Sequence, residues 1–79
     1  MKFTTIRDKV IKPKLIDMLG NTMAKDMFTK ARFASANERD EKGMLKVFVT
    51  MICSDPKFLG MWGTAQAEKQ KMEWLELLS

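Results

Sequence analysis

The sequence predicts an all-α fold: a compact bundle of four main helices with an extra short helical turn near residues 56–62. Three observations predict it. Apolar residues recur at the three-to-four-residue spacing of a helix face through most of the chain. Stop-and-start signals at Gly20-Asn21-Thr22, Ser35-Ala36-Asn37-Glu38, Ser54-Asp55-Pro56 and Gly63-Thr64 cut it into stretches of helical length. Finally, 79 residues with no linker, repeat or low-complexity segment make one helical domain, residues 1–79, with the first four residues and the last one or two expected outside the folded part.

The first stretch carries Ile6, Val10, Ile11, Leu15, Ile16, Met18 and Leu19, with Thr5 and Asp8 as a weak capping pair. Pro13 lies inside it, where a missing donor and a bulky ring predict either a kink or a short arm leading into a helix that starts near Pro13. Gly20 supplies a stop, and Asn21 or Thr22 a cap for a second helix over about 23–33. Met23, Ala24, Met27, Phe28 and Ala31 form its apolar face. Ser35-Ala36-Asn37-Glu38 reads as a capping box opening the third helix, and Asp40 and Glu41 suit the positive end of its dipole. Gly43 would cost about 1 kcal/mol relative to Ala inside a helix, which suggests a close helix crossing there. The stripe Met44, Leu45, Phe48, Met51 and Ile52 has helical spacing, although Val47, Phe48 and Val49 keep a strand over 45–51 as an alternative.

Asp55 and Pro56 fit a cap followed by the first helical position, where the missing N–H of proline does no harm. Phe58, Leu59, Met61 and Trp62 follow, with Gly60 and Gly63 as interruptions and Trp62 expected in the core at a tight bend. Thr64 then caps a final helix whose stripe is Met72, Leu75 and Leu78, widened by Trp74 and Leu77.

Composition excludes most familiar catalysis. There is no His and no Tyr, and Cys53 stands alone, so neither a Ser-His or Cys-His pair nor a Cys/His zinc site can be assembled within one chain. The glycines of Gly60-Met61-Trp62-Gly63 lack the Lys and Ser/Thr of a phosphate loop. Glu38 and Glu41 share a helical face, but a helix start attracts acids for dipole reasons alone. The chain is therefore not expected to be an enzyme on its own, and no cofactor or metal is called for. The lone cysteine suits a reducing compartment, and with no secretory signal or membrane-length apolar run the expected location is cytoplasmic.

What remains is binding. Apolar residues make up 46% of the chain, eight of them Met, more than one small core readily encloses. Met18, Met23, Met27, Met44, Met51, Met61 and Trp62 are the candidate contacts for a protein partner or a second copy. The alternative is nucleic acid. Of the net charge of +4, residues 1–32 hold eight Lys/Arg against Asp8, Asp17 and Asp26, whereas 33–79 hold six against seven acids. Lys9, Lys12, Lys14, Lys25, Lys30 and Arg32 could make a phosphate-binding face. Phe3, Phe28 and Phe33 are the aromatics near these cations, and two of them are better used in the core. The acidic start of the third helix also argues against a groove-reading helix there.

Overall fold

A proline midway along the chain's first rod sets the register of everything that packs on it. The computed structural model describes residues 2–78. In it α1 (Phe3–Thr5), a π-helical stretch (Ile6–Ile11) and α2 (Lys12–Leu19) run on without a break. In an α-helix the Pro13 ring would press on the carbonyl of Lys9, and wider turns ahead of it relieve that clash. The Lys12 N–H bonds the Arg7 carbonyl, five residues back. The same widening brings Ile6 and Ile11 onto one face, both fully enclosed, while Val10 is only half-buried. The expected kink is thus a π-helical turn, and Phe3 and Thr4 belong to the fold, with Phe3 buried and its N–H donating to Glu41 Oε1 at 3.3 Å, while Met1 and Ser79 lie outside the described residues. Thr5 lies inside the rod, so the rod starts without a side-chain cap.

Gly20 alone makes the corner into α3 (Asn21–Ser35). Its N–H bonds Ile16 O at 2.8 Å and its carbonyl accepts from Ala24 N at 3.1 Å, so one residue ends one helix and begins the next. Its φ of 84° and ψ of 165° lie in a region open essentially to glycine only. Asn21 and Thr22 are consequently the first helical residues, not caps.

The expected capping box is overturned. Ser35 falls one turn after Ala31 on the buried face, so α3 continues through it, and its hydroxyl donates back to Arg32 O at 3.2 Å. The cap of α4 (Glu41–Cys53) is Asp40, which is extended and accepts from Gly43 N at 2.6 Å. Gly43 makes room for carboxylates, not for another helix: a Cβ there would sit 2.9 Å from Glu38 Oε1 and 3.0 Å from Asp40 Oδ1. Because Glu38 precedes the helix, it and Glu41 do not share a helical face. The strand alternative for 45–51 also fails, since α4 buries Leu45, Phe48, Val49, Ile52 and Cys53 on one helical side. Packing has overridden the strand preference of Val and Phe.

α5 (Pro56–Leu75) begins as expected, with Asp55 accepting from Lys57 N at 2.8 Å and Pro56 in the first turn. Gly63 breaks it with φ 82° and ψ 163°, nearly the conformation of Gly20, leaving a short helical turn over 56–62 and a longer helix beyond. A 3-10 turn (Glu76–Leu78) ends the described chain. The long part buries Ala67, Gln70 and Trp74, so the helix is rotated to enclose the largest ring and Met72 of the expected stripe is turned outward. Trp62, expected in the core, is 42% exposed.

α4 is the central helix, packed against α3, α5 and α1, while α2 packs on α3. Phe48 is its pivot. Phe3 and Phe28 meet that ring edge-on, with centroids 5.8 and 5.2 Å away. The radius of gyration is 11.4 Å, and a compact chain of this length has one of about 12 Å. The structure is a small all-α bundle without strands among the described residues.

The glycines should separate under urea denaturation. Gly20→Ala and Gly63→Ala should each destabilise by about 1–3 kcal/mol through backbone strain alone, since nothing lies within reach of a Cβ at either. Gly60→Ala, in open space inside the helical turn, should stabilise by about 0.5–1 kcal/mol. Phe48→Ala should cost about 3–5 kcal/mol in the same measurement, a large share of the stability available to so small a domain.

Candidate functional site

The Met and Trp residues singled out by sequence do not converge on one place. Met27 is a core residue at 3% exposure, and Met18, Met23 and Met44 are half-buried at the core's edge. Met51, Met61 and Trp62 are exposed, as the partner reading requires. Sequence reasoning missed two others: Phe33 is 77% exposed and Met72 59%. Phe33 could have been found, because it lies off the 24, 28, 31, 35 stripe that α3 buries. Met72 could not, because its helix offers several apolar stripes and only the seating of Trp74 chooses among them.

The basic residues divide more usefully. Lys12, Lys25 and Arg32 surround a groove of about 320 Å³ between α2 and α3, with Leu15, Ile16, Ala24 and Phe28 as its floor. Asn21 and Thr29 add an amide and a hydroxyl, and no carboxylate lines it. The Gly20 corner creates this groove by folding α3 directly back from α2. Lys12 Nζ stands 5.6 Å from the Phe28 ring centroid, a favourable cation–π placement. Through Thr29 and Arg32 the groove adjoins a second hollow beside Phe33 and Ala36, so the two together follow the length of α3.

The remaining cations of the basic half lie elsewhere. Lys9, Lys14 and Lys30 are exposed but line no part of this groove. Lys30 pairs with Asp26 at 3.3 Å, and Lys57 of α5 reaches the same carboxylate oxygen at 3.7 Å. Asp8 is held by Arg7 at 2.9 Å. That hydrogen bond lowers the Asp8 pKa and raises that of Arg7, and the fields of Lys12 and Arg32 lower Asp8 further. Asp26 is thus engaged with Lys30 and Lys57, while Asp8 is bonded to Arg7 and also lies within the field of Lys12 and Arg32.

Chemically the groove can hold an amphipathic ligand with negative charge at its edges. Cys53 is no nucleophile at neutral pH: burial pushes its pKa up to about 11, with Lys71 opposing and Glu68 adding to the rise. No cluster of three or more His, Cys, Asp or Glu able to hold a metal occurs among the described residues. No described helix is long and apolar enough to cross a membrane. No known protein family, curated protein or solved structure matches the chain.

Cys53 should react with a disulfide reagent far more slowly in the native protein than in urea at pH 8. Its folded pKa lies above its ordinary value of 9.0, so the stability linked to the neutral thiol is fully present below pH 9 and is lost as pH rises toward 11. Chemical denaturation across that window, compared with Cys53→Ala, checks the sign.

Proposed function

We propose that this chain is a small protein-interaction or regulatory module that self-associates through exposed Met and aromatic side chains and carries out no catalysis of its own. The observation behind it is the set Phe33, Met51, Met61, Trp62 and Met72, exposed between 41% and 77%. Single exposed apolar residues are ordinary. Five large ones on a chain with so small a surface favour a function in contact, and their flexible Met side chains suit a face that adapts to its partner. A reducing, cytoplasmic setting fits the single buried thiol.

Nucleic acid remains the second reading, favoured by the convergence of Lys12, Lys25 and Arg32 beside the exposed Phe33 ring. It is the weaker one. The groove floor is apolar, and Lys9, Lys14 and Lys30 stay outside it. Phe3 and Phe28 are committed to the core, which leaves one exposed aromatic near the cations for base stacking.

Sedimentation velocity on the untagged chain should show the average mass rising with concentration, with binding of an apolar-surface dye to the monomer. A clean monomer at millimolar concentration that binds no dye would overturn self-association.

A further inference from the structure

We infer that the groove between α2 and α3 of one copy receives the ridge formed by α5 and the 3-10 turn after it in a second copy. The inference rests on the self-association reading and names its two surfaces. The ridge is the outward side of the last helix, where the exposed Glu68 and Met72 stand one turn apart and the exposed Glu76 follows in the 3-10 turn, with Leu75 beside Met72. Its apolar centre and flanking acids are the complement of an apolar floor with flanking cations.

The spacings agree. Lys25 and Arg32 are seven residues apart on α3, about 10 Å along the axis, and Glu68 and Glu76 are eight apart, about 12 Å. With α5 laid antiparallel to α3, Glu68 meets Arg32 and Glu76 approaches Lys25. Met72 then stands midway, level with Phe28, against the apolar floor that Leu15 and Ile16 share with it. An Arg–carboxylate contact is the stronger of the two by its bidentate geometry. Glu76 already has an interaction within its own chain, so Glu68 is the acid on which the pairing is best tested.

Charge placement favours this occupant. Asp26 faces Lys30 and Lys57, and Asp8, which lies within the field of Lys12 and Arg32, is bonded to Arg7, so three cations and no acid line the groove itself. On the ridge the one cation, Lys71, is half-buried and outnumbered. Neither surface is filled by its own chain: no α5 residue lines the groove, and no α2 or α3 residue lines the ridge. Groove and ridge are different surfaces, so the contact is heterologous and each added copy presents a fresh groove.

The test is a charge-reversal cycle read by sedimentation at low and moderate salt: wild type, Arg32→Glu, Glu68→Arg and the double variant, each checked by circular dichroism. Both positions are exposed, so all four should fold. Each single reversal should weaken association about tenfold or more, and the double should recover to within about threefold of wild type. Wild-type association should itself weaken as salt rises. Association that ignores the single reversals, or a double variant as weak as the two singles combined, overturns the inference and leaves self-association standing. A wild-type chain that stays monomeric overturns both. A single-stranded oligonucleotide is titrated in parallel: binding that is lost in Arg32→Glu while self-association is unaffected by that substitution reassigns the groove to nucleic acid and overturns the inference.

Discussion

The ring of Phe48, fully enclosed on the central helix, is met edge-on by Phe3 from the start of the chain and by Phe28 from α3, so three segments distant in sequence converge on one side chain. Edge-to-face pairs of this kind add to the area they bury. A chain of this length encloses few positions completely, so the aromatic cluster carries an unusual share of the fold's cohesion. It also explains why Phe3, near the start of the described chain, belongs to the core. Phe3 is anchored by Phe48, and its backbone N–H is taken by the carboxylate of Glu41 at the start of the same helix.

Around that cluster the backbone turns at two glycines of nearly identical conformation. Gly20 folds α3 back from α2, and Gly63 folds the end of α5 away from its first turn. The π-helical stretch before Pro13 is a third backbone device, and it turns both Ile6 and Ile11 inward. The candidate surfaces follow from these constraints. A corner of one residue holds α2 and α3 close enough to share a groove, and the floor of that groove is the outer side of the same core: Leu15, Ala24 and Phe28 belong to both. Phe28 links them most directly, with its edge against Phe48 and its face toward Lys12.

Much of the helical organisation was legible in the residue pattern. Asp55-Pro56 marked the start of α5, Gly63 its break, and the Met23 to Ala31 spacing the buried face of α3. The errors have a common cause. Ser35-Ala36-Asn37-Glu38 satisfies the local rule for a helix start, but Ser35 also continues the buried stripe of α3, and the long-range contact decided the outcome. The final helix could present several apolar stripes, and the demand of Trp74 for a buried site turned Met72 outward. Trp62 likewise follows the seating of Phe58 one turn earlier, which takes the enclosed position. The candidate site was half legible: the basic half was visible as charge, but not that Lys12, Lys25 and Arg32 face one groove while Lys30 is drawn to Asp26.

By itself the sequence determined the all-α class, the approximate helix count, the absence of His-based chemistry and the uneven distribution of charge, because these depend on spacing and composition within a few turns. Tertiary structure alone decided which of several amphipathic stripes faces inward, that Pro13 is accommodated by a π-helical turn, and which cations share a wall. Those choices depend on contacts between residues tens of positions apart, such as Phe3 with Phe48 and Asp26 with Lys57. No local pattern records the free energy of such contacts.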